Sequence, residues 1–141
     1  MKRWMLPVIV LALVLSACSS EVRPSTAKGN LAPVSQLTPS VQQSPTRVRE
    51  AYQFAVANPD LLKQIPCYCG CGAMGHMSNY ACYVKAVTPD NSVAFDEHAL
   101  GCSLCVDITQ DAMHLSGEGK PAQDIRAEIV ATYSKFGPPN Q

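Results

Sequence analysis

The sequence lacks most of what marks a common enzyme or a nucleic-acid binder. It has no serine-nucleophile motif, no glycine-rich phosphate loop and no paired-carboxylate pattern, which removes the usual signatures of hydrolases, nucleotide-dependent enzymes and glycosidases. It has no excess of basic charge: eleven Lys and Arg balance eleven Asp and Glu over 141 residues, so no basic patch points to nucleic acid. No stretch alternates apolar and polar residues well enough to demand a β-strand. No apolar run is long enough to span a bilayer comfortably, the longest being Trp4–Val14, interrupted by Pro7. What the chain does have is cysteine, seven residues of it, with three histidines.

The N-terminus has the layout of an export signal. Lys2 and Arg3 form a short positive region, Trp4–Val14 is the apolar core, and Leu15-Ser16-Ala17-Cys18 closes it. Leu-Ser-Ala-Cys resembles the bacterial lipobox. The resemblance implies removal of residues 1–17 and lipidation of Cys18, with diacylglyceryl and palmitate-type acyl chains. Several such chains hold a protein at a membrane far better than one does. The expected location is the extracytoplasmic face of a bacterial membrane, with the lipid as the membrane contact. Losing Lys2 and Arg3 leaves nine basic against eleven acidic side chains. The exported part is mildly acidic, and its thiols face an environment that oxidises them unless something protects them.

Residues 18–45 are rich in Ser, Pro, Thr and Gln, with Pro24, Pro33, Pro39 and Pro45 too closely spaced for a helix. This segment reads as a lipidated end followed by a disordered, partly polyproline-II tether. A Cys-rich domain is expected over 46–137, about ninety residues, a size at which a core benefits from cross-links or metal. Residues 138–141 read as a disordered tail. Within the domain, Thr46 reads as the N-cap of a first helix, with Val48, Ala51, Tyr52, Ala55 and Val56 on one face. Ser78 reads as the N-cap of a second helix through Val87, a longer helix is expected from Phe95–Glu97 to Leu115, and a last one opens at Pro121. Its stripe is Ile125, Ile129, Thr132, Tyr133 and Phe136, and Gly137-Pro138-Pro139 stops it. The expected fold class is therefore all-α: a small helical bundle around a Cys/Gly-rich loop.

That loop holds the densest chemistry: Pro66-Cys67-Tyr68-Cys69-Gly70-Cys71-Gly72, then His76 and Cys82. Thiols two residues apart make strained rings if bridged to one another. Extended backbone places all three on one side, and Gly70 and Gly72 let it bend around an ion. A second group follows, His98, Cys102 and Cys105, whose i, i+4, i+7 spacing gathers them on one helical face. The candidate ligands are Cys67, Cys69, Cys71, His76, His98, Cys102 and Cys105, more than one mononuclear site requires. Cys82 is either a further ligand or half of a disulfide. Met74 and Met77 add soft thioethers, Met113 reads as core rather than ligand, and His114 has the slightest claim.

Thiolate, imidazole and thioether together favour copper as Cu(I), with zinc as the alternative. Iron–sulfur ligation is disfavoured by assembly outside the cytosol. Covalent haem is disfavoured because Val106 follows Cys102-Ser103-Leu104-Cys105 where a histidine is required. Metal storage, transfer or sensing would bring in a metal-donor or metal-acceptor protein as partner. Six domain cysteines are also an even number, so disulfide staples of a surface binding module remain open, with fifteen pairings.

The heptad Pro66–Gly72 resembles the signature of bacterial lipoproteins with a PCYCGC motif, a likeness that extends to Gly75-His76, Ser78-Asn79, Cys82, His98-Ala99, Gly101-Cys102, Cys105 and Asp124-Ile125-Arg126. It implies the location and domain limits, and leaves the chemistry to the residues. Locally, Cys102-Ser103-Leu104-Cys105 ahead of two helices is similar to the thiol oxidoreductases of cytochrome c maturation. That resemblance implies Cys102 and Cys105 as catalytic attacking and resolving thiols in disulfide exchange.

Overall fold

The computed structural model describes residues 29–140. The expected leader, Cys18 and the first part of the tether lie outside the described residues. Among the described residues, no helix is long and apolar enough to cross a membrane.

The tether expected through Pro45 is folded from about residue 30. A short 3-10 turn at Val34–Gln36 and helix α1 (Pro39–Gln42) lay this segment against the domain. Ala32, Leu37 and Val41 are buried. Ala32 exchanges two bonds with Gln53: its N–H donates to the Gln53 carbonyl at 3.1 Å, and the Gln53 amide donates to its carbonyl at 2.6 Å. Gly29 approaches so closely that a Cβ there would meet Phe54 at 2.5 Å. The segment's apolar residues follow no helical or strand period, so periodicity is blind to them. The prolines direct the chain through turns instead.

Helix α2 (Thr46–Ala57) follows, capped by Pro45 rather than by Thr46, and α3 (Pro59–Leu62) adds one turn. Ala51, Tyr52, Phe54 and Ala55 are fully buried, while Val48 and Val56 pack at the margin. Residues 66–79 form the irregular loop. Where a second helix was expected from Ser78, the chain makes a 3-10 turn at Tyr80–Cys82 and enters strand β1 (Val84–Val87). β1 pairs antiparallel with β2 (Val93–Phe95), matching Val84 with Phe95 and Val87 with Val93 across an irregularity between Val84 and Ala86. The fold is thus mainly helical with a two-stranded hairpin, not all-α. Only Val84 of β1 is buried, so no alternation advertises the strand. The turn relies on Asn91 at φ 63° and on the Asp90 carboxylate, which accepts from the Thr88 and Ser92 hydroxyls.

The long helix expected from residue 95 is two helices. A one-turn α4 (His98–Gly101) ends at Cys102, whose φ of −116° and ψ of 97° are extended, and α5 (Ser103–Gly117) starts after it. Helix α6 (Ala122–Tyr133) packs beside α5, burying Ile125, Ile129 and Tyr133 but leaving Thr132 and Phe136 exposed. Fully burying an isoleucine such as Ile108 or Ile125 stabilises the fold by about 1.5–3 kcal/mol. Tyr52 and Tyr83 meet edge to face at 4.9 Å between α2 and the hairpin. The tail folds back: Asn140 is buried, and its N–H donates to the Cys67 carbonyl at 2.8 Å.

Candidate metal centre

The loop is held at both ends before any thiol is placed. Asn79 N–H donates to the Ile65 carbonyl at 2.8 Å, and the Arg126 guanidinium of α6 donates to the Gln64 carbonyl. Between these anchors, Gly70 (φ 77°) and Gly75 (φ 88°) adopt left-handed backbone that a side chain would strain. Gly70 sits between Cys69 and Cys71 at the point where the donor set divides in two.

The first part is sulfur. Cys67, Cys82 and Cys105 are fully buried and form a triangle: 3.5 Å from Cys67 to Cys105, 3.7 Å from Cys82 to Cys67 and 3.3 Å from Cys105 to Cys82. Cys102 is 3.2 Å from Cys105. All six domain cysteines are free thiols. Four sulfurs around one tetrahedral ion with bonds of about 2.3 Å stand about 3.8 Å apart, so these separations are close to what an ion would require. Cys69 completes two overlapping groups, Cys67/Cys69/Cys82/Cys105 and Cys69/His98/Cys102/Cys105, each with all donor atoms within 4.8 Å of one another.

Proton affinities inside the sulfur group diverge. Cys105, then Cys82, stabilises the Cys67 thiolate and holds it far below the usual thiol range. Its interactions with Cys67 and Cys82, with burial added, push the Cys105 thiol well up. Cys105 lowers Cys82, but contact with Cys67 and burial outweigh this and raise it. Burial, and then the charge on Cys67, lift Cys69 to about 11. Without metal, charge is therefore favoured on Cys67 and disfavoured on Cys69, Cys82 and Cys105. A cation held there would displace protons from these thiols and offset the repulsion between them.

A buried polar scaffold holds Cys105. Its carbonyl accepts from the Asn79 amide at 3.1 Å and the Tyr83 hydroxyl at 2.8 Å, while the Thr109 hydroxyl donates to Asn79 Oδ1 at 2.6 Å. Asn79, Tyr83 and Thr109 are fully buried. On the opposite side the Asn140 amide donates to Cys69 Sγ at 3.3 Å.

The second part mixes nitrogen and sulfur. Cys71 Sγ is 3.2 Å from His98 Nε2, and the His76 and His98 rings lie 4.7 Å apart, steeply tilted. The donor atoms of Cys71, His76 and His98 all lie within 4.8 Å of one another. Asp96 contacts both histidines, one through its backbone and one through its ring. Its Oδ1 accepts from the His98 backbone N–H at 2.8 Å, and its Oδ2 faces His76 Nε2 at 3.3 Å. A carboxylate only accepts, so Nε2 carries a proton, and in the neutral ring His76 Nδ1 is then left with a bare lone pair. That atom is buried and has no protein partner.

The structure thus brings together all seven side chains expected from the spacing and adds Cys82 as an unbridged neighbour. His98, Cys102 and Cys105 converge although the helix expected to align them breaks at Cys102. The remaining candidates lie elsewhere. His114 is exposed and faces Glu118 at 3.2 Å, Met113 is buried in the core, and Met74 and Met77 are exposed. Sequence reasoning missed Asp96, Asn79, Tyr83, Thr109 and Asn140. Only Asp96 carries a local signal, as an acidic residue two positions before His98.

No curated protein and no solved structure matches the chain, so the likeness of its C-terminal part to cytochrome c maturation oxidoreductases has no comparison behind it. The family model described as "protein of unknown function with PCYCGC motif" matches residues 7–141. The match takes in the Cys-rich loop and the segments that carry His76 and His98: the chain belongs to the family of proteins with a PCYCGC motif.

Proposed function

We propose that this protein is a lipid-anchored, extracytoplasmic domain that binds a soft transition metal for storage or transfer, Cu(I) in preference to Zn(II). The observation that carries the reading is the buried sulfur group: Cys67, Cys82 and Cys105 within 3.3–3.7 Å of one another. A disulfide joins two sulfurs, whereas three that converge on one buried point suit a shared ion that uses all of them. Thiolates in excess of any single tetrahedral requirement suit Cu(I), which tolerates low coordination and shared sulfurs. The lipid on Cys18 would keep the domain beside the membrane, where a metal donor or acceptor protein meets it.

The test is anaerobic purification of the whole chain carrying Cys18→Ser, followed by metal analysis and thiol counting. Stoichiometric copper with the six domain thiols accounted for as ligands supports the reading. Metal-free protein that takes up neither Cu(I) nor Zn(II) overturns it.

A thiol–disulfide oxidoreductase is the second reading, favoured by the 3.2 Å approach of Cys102 and Cys105 at the start of α5. There Cys102, half-buried beside the helix N-terminus, would attack and buried Cys105 would resolve. Exchanging Cys105 for serine would then trap mixed disulfides with a partner, and finding none under oxidising growth removes this reading.

A further inference from the structure

The three donor groups are not separate sites laid side by side. Cys71/His76/His98 shares His98 with Cys69/His98/Cys102/Cys105, and that group shares Cys69 and Cys105 with Cys67/Cys69/Cys82/Cys105. Burial is deepest at the far end of that series: the first group holds half-buried Cys71 and His98 beside buried His76, the second has only Cys105 buried, and the third has Cys67, Cys82 and Cys105 all fully buried.

Donor chemistry follows it too. The outer group has two imidazoles and one sulfur, whereas the inner group has four sulfurs. For a soft ion the sulfur-rich group binds more tightly, and the imidazole-rich group exchanges more readily. The outer group also bears the mark of a built site. His76 is 4 % exposed, Asp96 fixes its tautomer, and its Nδ1 has no partner within the protein. A buried lone pair without a partner is destabilising, a cost that an ion bound there would offset.

Resting on the soft-metal reading above, we propose that Cys71, His76 and His98 form an entry position, and that the overlapping groups pass an ion inward by exchanging one ligand at a time. An ion held by Cys71, His76 and His98 keeps His98 while it gains, one at a time, Cys69, Cys102 and Cys105. It then keeps Cys69 and Cys105 while it gains Cys67 and Cys82. Each thiol that becomes a ligand releases its proton to solvent, each departing ligand keeps its lone pair, and the metal stays in one oxidation state throughout. The ion is never without protein donors, so transfer needs no free aqueous Cu(I). Export to an acceptor follows the same steps in reverse.

The experiment compares release of Cu(I) from the loaded whole chain (Cys18→Ser background, anaerobic) to a chromophoric Cu(I) chelator by stopped flow. Cys71→Ser and His98→Gln should each slow release by about tenfold or more, while the near-ultraviolet thiolate–copper absorption of the inner group persists. Cys71 and His98 are only half-buried, and near-ultraviolet circular dichroism of the buried tyrosines checks that both variants fold. Release at the wild-type rate from either variant overturns the proposal. Loss of all thiolate–copper absorption in folded variants also overturns it, because the centre would then be one indivisible cluster. Wild-type protein that binds no metal defeats the soft-metal reading itself, an outcome visible before any variant is made.

Discussion

Cys71 Sγ lies 3.2 Å from Nε2 of His98, a residue twenty-seven positions later in the chain. The contact joins the last thiol of the loop to the first residue of α4, across the mouth of the sulfur group. It depends on Asp96, whose backbone N–H donates to the Tyr83 carbonyl at 2.8 Å and whose carboxylate holds the His98 N–H and faces His76. One acidic side chain therefore ties the backbone of His98 and the ring of His76 to the end of the hairpin.

Replacing that carboxylate should weaken metal binding without unfolding the protein. In Asp96→Asn the side-chain oxygen still accepts one bond, but it no longer fixes the tautomer of His76 with a negative charge. Affinity for Cu(I), measured by competition with a chelator, should fall by about tenfold. The far-ultraviolet spectrum should be unchanged. Wild-type affinity in this variant would mean that the imidazoles do not ligate.

Asn79→Ala tests the scaffold under Cys105. The change leaves the Thr109 hydroxyl without its Asn79 acceptor and takes one of the donors from the Cys105 carbonyl. Tyr83 still donates to that carbonyl, so the loss is partial. The metal-free protein should be destabilised by about 1–3 kcal/mol in a urea titration. Holo protein should lose in parallel, because α5 no longer presents Cys105 at a fixed depth.

The thiols give the metal-free, reduced protein an alkaline limit. Cys69 titrates at about 11 in the folded chain, up from 9.0, because of burial and the nearby Cys67 charge. Cys82 and Cys105 are raised as well. Above pH 9 the unfolded chain releases protons that the folded chain retains, so stability falls as pH rises from 9 towards 11. Cys67 is shifted the other way, and its contribution is already complete above pH 9. Urea midpoints at pH 8.5, 10 and 11 under reductant should decline in that order. Loading with metal should flatten the decline, since ligated sulfurs have no protons to lose.

Much of the Cys/His cluster was legible as a candidate from residue type and spacing, because three thiols at alternate positions beside two glycines stand out in any sequence. The route to convergence was not. A continuous helix predicts His98, Cys102 and Cys105 on one face, yet the break at Cys102 gathers them by a turn, and spacing alone cannot tell the two apart. The hairpin was hidden because β1 buries only Val84. The ordered segment from residue 30 was hidden because Ala32, Leu37 and Val41 fill gaps without repeating. Supporting polar groups such as Asn79 and Thr109 are invisible to pattern reading, since their importance lies in partners twenty or more residues away.

Asn140 is the plainest case of such a partner, in a tail whose Pro138-Pro139 reads as the end of structure. Its N–H donates to the Cys67 carbonyl at 2.8 Å and its amide to Cys69 Sγ at 3.3 Å. A hydrogen bond to a sulfur stabilises the thiolate over the thiol, and the backbone bond fixes the carbonyl between the first two loop thiols. Asn140→Ala keeps the backbone bond and removes only the one to sulfur. It should leave the fold intact, with a stability change of about 0.5–1.5 kcal/mol. The decisive readout is Cys69: its anaerobic alkylation rate should change in Asn140→Ala while that of Cys71 does not. Equal rates for Cys69 in wild type and variant would show that the tail packs against the loop without tuning its chemistry.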